Sequence, residues 1–290
     1  MTEYQTLTIT RDMVAPDGTY IGLDASNWQG EIIIEAGLGY VRFAGWLRAS
    51  LSIRAEAGTG IEAGEGIEAG EGIEAGSGIK AGTGIKAGSG IEAGWGIEAG
   101  EGIKAGWGIK AGTGIKAGSG IKAGDGIKAG TGIKAGWGIK AGSGIEAGWG
   151  IEAGSGIKAG WGIKAGWGIE AGFAITGESL HARWRIFAGL CMWRLPKPSE
   201  MEVRGELLGG IIAHGTHVPP ADGGRGVNTP DPVAVAFTAL VTALGNAALE
   251  TPQDAMRTLV YQEGVDLIAR RWAAGEQPPW LLRLAREAAP

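Results

Sequence analysis

Between residues 57 and 176 the apolar positions recur with a period of six. The unit Ala-Gly-x-Gly-Ile-[Lys/Glu] repeats twenty times without a gap, and only the last copy, Ala-Gly-Phe-Ala-Ile-Thr, departs from it. Ile fills the fifth slot from Ile61 to Ile175, Lys or Glu the sixth, and the x slot takes Thr, Glu, Ser, Asp, Trp or Phe. Six matches neither a helical turn nor a heptad, and two glycines per unit would cost a helix about 2 kcal/mol. A helix is excluded. Strict alternation of faces along a strand would instead place Ala, x and Ile together and bury Glu65, Glu71, Glu101 and Asp125 without partners. The alternation must therefore break at Gly-x-Gly, where glycine tolerates corner dihedrals. The unit reads as a short strand with Ile and Ala inward and Lys or Glu outward, followed by a corner that points x outward. Chained units predict a mainly β fold, a parallel β-solenoid with an Ile/Ala core.

Residues one coil apart stack at about 4.8 Å, so stacked charges should alternate in sign. At a spacing of 12, 11 of 17 Lys/Glu pairs are opposite; at 18, 8 of 16 are. Trp95 and Trp107, and Trp137, Trp149, Trp161 and Phe173, also fall 12 apart. These counts predict two hexads per 12-residue coil rather than three per triangular coil. Degenerate units extend the pattern: Val41, Leu47 and Ile53 upstream, Leu180, Ile186 and Met192 downstream, as expected of capping repeats. The predicted order is an N-terminal segment (1–31), a solenoid (32–194), an irregular segment and linker (195–230) and a small α-helical C-terminal module (231–290). In that module, 231–249 reads as one helix and Thr251-Pro252 begins a second.

Composition sharpens this picture. There are 57 glycines in 290 residues, without the every-third-residue period of collagen. A single cysteine, Cys191, excludes a disulfide scaffold and fits a reducing, cytoplasmic setting. The uncharged run 232–249 is rich in Ala and Thr and falls short of a strongly apolar membrane span, so it reads as a buried helix. The net charge of -5 gives no overall steering toward nucleic acid or anionic membrane. Within the repeat, 11 Lys face 11 Glu and one Asp, which argues against a nucleic-acid-mimicking inhibitor.

The hexapeptide period resembles that of the left-handed β-helix acyltransferases. The resemblance implies an acyl-transfer enzyme with a catalytic histidine on the solenoid. That family places a small residue two positions before the aliphatic one; here that position is the variable x slot, and no His occurs between 57 and 176. The remaining route to an enzyme is a subunit-interface site near His181, His214 or His217. His214-Gly-Thr-His217 supplies two imidazoles where a metal site needs three or four ligands, so neither metal nor cofactor is expected. Cys191, between Leu190 and Met192, reads as a buried thiol, and Arg183 and Arg185 as a solvated strand face.

The x-slot aromatics Trp95, Trp107, Trp137, Trp149, Trp161, Trp167 and Phe173 are the candidate binding residues, because outward tryptophan suggests contact with something. Val235, Phe237, Leu240, Val241 and Leu244 are candidates for self-association, being apolar on more than one helix side. The expected function is that of a non-enzymatic rigid scaffold. It would present Lys/Glu faces and a Trp-rich corner to a macromolecular partner, a protein rather than a nucleic acid or membrane, as a homo-oligomer.

Overall fold

The computed structural model describes residues 4–191 and 194–220. The helical module expected at 231–290, with its candidate contacts Val235, Phe237, Leu240, Val241 and Leu244, lies outside the described residues. The described part is a parallel β-solenoid of about ten coils whose only helical elements are two 3-10 turns, Arg11–Met13 and Pro198–Glu200. No helix among the described residues is long and apolar enough to cross a membrane. Each perfect unit contributes one short strand, such as Ile85–Ala87 or Ile115–Ala117, with Ile and Ala buried and the Lys or Glu between them turned outward. The inward Ile are 0–1% exposed along the whole repeat. At roughly 1.5–3 kcal/mol for each buried Ile side chain, this uninterrupted column is the main source of cohesion.

The coil contains three hexads, not two. Ile67 lies beside Ile85, Ile85 beside Ile103 and Ile103 beside Ile121, a step of three units each time. Coil-to-coil backbone bonds follow the same step: Ile85 N–H donates to Gly102, Gly88 N–H to Ala69, and Thr83 N–H to Glu65. The expected two-hexad coil failed because stacked charges do not neutralise one another uniformly: Lys104 lies directly beside Lys122. Three units per coil shorten the perfect stretch to about 32 Å at ~4.8 Å per coil. Three flat faces result. The first stacks Val41, Ile61, Ile79 and Ile97 onward, the second Leu47, Ile67 and Ile85, the third Leu7, Ile32, Ile53 and Ile73.

The ladder reaches further than 32–194 in both directions. Gln5–Ile9 pairs in parallel with Gly30–Ile34, which pairs with Ile53–Ala55. At the other end the long strand Ile175–Ala188 pairs with Glu202–His214, and this with Thr216–Val218, inside the segment expected to be irregular. The three steps that enter the perfect repeat, Val41 to Ile61, Leu47 to Ile67 and Ile53 to Ile73, are longer by two than those within it. The extra residues sit at the corner Glu56–Thr59, where Gly58 has φ +74°.

The two glycines of each unit have different tasks. A Cβ on the first would fall 1.8–2.2 Å from a carbonyl oxygen one coil below through most of the repeat, as at Gly124 against Gly106 O. That position admits no side chain. From Gly84 onward a Cβ on the second meets only an oxygen one coil above, 3.2 Å away at Gly120 and 3.4 Å at Gly126, whereas Gly60, Gly66 and Gly78 lie under the rings of Tyr40 or Trp46. After Gly58, neither position has positive φ in the repeat. What the second glycine does is leave the surface between the x row and the Lys/Glu row bare.

Candidate functional site

The outward side chains form axial rows, because every third hexad lies directly above its predecessor. On the first face, Arg42 and Lys80 flank Glu62, Lys116 pairs with Glu98 at 3.1 Å, and Lys134 with Glu152 at 2.6 Å. On the third, Arg54 pairs with Glu74, Lys110 with Glu92, and Lys128 and Lys164 with Glu146. The hydrogen bond from Lys128, helped by both lysine charges, lowers the pKa of the Glu146 carboxyl below its ordinary value.

The second face departs from this rule. After Arg48, Glu68 and Lys86 it carries Lys104, Lys122, Lys140 and Lys158, each stacked directly on the next. Of stacked Lys/Glu pairs, 7 of 11 are opposite in sign on the other two faces and 1 of 5 here. Glu68 pairs with Arg48 and Lys86 at one end. Among the described residues, Lys104, Lys122, Lys140 and Lys158 form no ion pair. Two charges about 4.8 Å apart in water repel by just under 1 kcal/mol, and like charges directly opposite destabilise a sheet. The repeat thus concentrates its uncompensated positive charge in one row.

The second and third faces each carry a shallow axial groove between the x row and the Lys/Glu row, floored by the second glycines. The one on the second face has a volume of about 980 Å³ and runs from Ile67 to Thr176, with Thr83 and Glu101 on one flank and Lys86 to Lys158 on the other. The buried Thr83 hydroxyl oxygen has no hydrogen-bond partner within the described residues. The third face has a similar groove flanked by Trp107, Asp125 and Trp161 on one side and mixed Lys and Glu on the other.

The candidate aromatics do not share one corner. Trp95, Trp149 and Trp167 stand at the corner preceding the first face; Trp137 and Phe173 precede the second; Trp107 and Trp161 precede the third. The spacing of 12 between them places neighbours on different corners. All six tryptophans are 59–69% exposed. Phe173 is half-buried under the Arg194 guanidinium, 4.5 Å from the ring centroid. Arg194 is in turn held by two hydrogen bonds to Glu200, each 2.7 Å, which push the Glu200 pKa down to about 2.

One aromatic was missed from sequence. Trp184 follows Trp167 by one position less than three hexads, inside an irregular strand, and its N–H donates to Trp167 O just as Trp167 N–H donates to Trp149 O. Trp149, Trp167 and Trp184 therefore occupy one edge on three successive coils, with Trp149 and Trp167 stacked at 6.3 Å between ring centroids. The chain matches no family model, no curated protein and no solved structure.

Two of the three histidines contact backbone carbonyls. His214 Nδ1 lies 2.6 Å from Ala188 O and His217 Nε2 2.9 Å from Gly205 O, so each ties its strand to the coil below. His181 stacks on Lys164 at the end of the third face. Among the described residues no three His, Cys, Asp or Glu side chains gather to hold a metal ion. Cys191 is half-buried and free.

Proposed function

We propose that the chain is a rigid, non-enzymatic solenoid that binds a macromolecular partner, foremost a protein, along its outward rows. The observation that carries this reading is the edge of Trp149, Trp167 and Trp184, three tryptophans on adjacent coils that stay 63%, 63% and 46% exposed. Such rings bury large apolar areas at low entropic cost when a partner covers them. The x slot accepts Ser at many other corners, so the fold does not require tryptophan there.

The test follows from that tolerance. Trp149→Ser, Trp167→Ser and Trp184→Ser together should leave the β signal in circular dichroism and the melting temperature close to those of the parent. The immobilised parent should retain a defined protein from a lysate of the source cells, and the triple variant should not. Identical retention by both, or retention of nothing by the parent, would sink the reading.

A further inference from the structure

We infer that the lysine row of the second face is a binding site for a linear acidic polysaccharide, a polymer bearing one carboxylate on successive sugar units. This site is separate from the tryptophan edge, since the row lies on the second face and the edge at the corner preceding the first.

The same repeat that alternates charge on two faces puts Lys86, Lys104, Lys122, Lys140 and Lys158 in single file on the remaining one. Four of these ammonium groups have no carboxylate partner among the described residues. Substituting Glu at alternate positions would relieve the repulsion at no cost to the core, and the other faces show that the repeat accepts such Glu. The row is therefore built for negative charge from outside.

The shape of the site narrows the ligand. The row is straight, one residue wide, and four coils long from Lys86 to Lys158, about 19 Å. The flanking faces are nearly neutral by internal pairing, so a planar anionic surface such as a membrane would meet lysine along one line only. A single extended polymer matches that geometry. The groove floor is bare because its positions are glycines, Gly102 and Gly120 among them, at sites where the backbone leaves far more space than at the first glycines.

The opposite flank separates a glycan from a nucleic acid. Its x row runs Thr83, Glu101, Ser119, Trp137, Ser155. The Ser119 and Ser155 hydroxyls there can accept hydrogen bonds from sugar hydroxyl groups, and so can Glu101 where a sugar turns its hydroxyls rather than its carboxylate toward it. A single strand would also need successive stacking platforms; beside the lysine row this x row holds one aromatic, Trp137, with Trp46 and the half-buried Phe173 beyond its two ends. One ring suits the C–H face of a pyranose.

Affinity electrophoresis of the full chain through gels containing polygalacturonate, with poly(dT) as the competing polymer, tests the inference. The parent should be retarded by polygalacturonate, more strongly than by poly(dT), and added salt should weaken the effect by screening. Lys104→Glu with Lys140→Glu restores alternation along the row. It should melt no lower than the parent yet bind at least about tenfold more weakly, as expected when attractive contacts become repulsive. Lys104→Gln with Lys140→Gln, which only removes charge, should lie between the two and serves if the Glu variant fails to fold. The triple Trp→Ser variant should bind polygalacturonate like the parent, so a failure here leaves the reading of the tryptophan edge untouched. The inference is overturned if the parent ignores polygalacturonate or if the Lys variants bind it unchanged. It is also overturned if the tryptophan variant loses it, which moves the polymer to the other edge, or if poly(dT) is the preferred ligand, which makes the row a nucleic-acid groove.

Discussion

Each residue of the hexad answers to a different physical constraint, and substitutions should separate them. Ile115 is 1% exposed between Ile97 and Ile133. Ile115→Asp buries a carboxylate without a partner and is expected to cost about 3–5 kcal/mol in chemical denaturation. Its neighbour Lys116 points to solvent, and Lys116→Glu, which breaks the pair with Glu98, should cost under ~1 kcal/mol. Equal melting of the two would overturn the inward and outward assignment. Gly124→Ala drives a methyl into Gly106 O and should destabilise more than Gly120→Ala, whose methyl asks the Gly138 oxygen to move by only a few tenths of an ångström. Glu200 supplies a pH signature. Its pKa is held to about 2 by Arg194, below its unfolded value, so its contribution is complete above the ordinary carboxylate range near 4.3 and vanishes as pH falls toward 2. Glu200→Gln should flatten the acid side of a melting-temperature profile across that window; an unchanged profile would show that the pair adds nothing to stability.

At the level of the element, the strand and its corner could be read from the sequence, whereas the number of strands per coil could not. Which residue points inward follows from the cost of burying Glu65 or Asp125, a constraint local to one unit. Coil size had to be inferred from pairing between units, and the Lys104 to Lys158 row defeats the premise that stacked charges neutralise. The tryptophan edge was half legible for a related reason: Trp149 and Trp167 keep the three-hexad step, but Trp184 lies in a strand where the register has slipped by one. The same logic predicts what deletions do. Removing residues 103–120, one full coil, should leave every row in place and shorten the rod by ~4.8 Å. Removing only 103–108 should also fold, since each hexad presents the same Ile and Ala inward, but every later row moves to the next face. The lysine row would then continue as Lys110, Lys128, Glu146 and Lys164. Both deletions should give the parent's β signal; a failure of the shorter one alone would mean that the three faces are not equivalent.

For the whole molecule, the ladder among the described residues closes with Thr216–Val218 on Glu202–His214, so the solenoid carries its own last coil. Truncation after Pro219 is therefore expected to leave it folded, and, with the apolar sequence at 233–244 removed, monomeric. Light scattering on the two chains checks this, and equal masses in solution would refute an assembly role for the C-terminal residues. The three-hexad coil has one more consequence. Because the core cannot tell one hexad from another, the surface behaves like a text with three reading phases, and gain or loss of repeats in a gene of this kind edits that text by phase. Changes of three hexads lengthen or shorten a message already written, while changes of one or two transpose everything downstream onto a different side of the rod. Repeat number in such a chain is then free to drift only by whole coils if its faces are to keep their meaning.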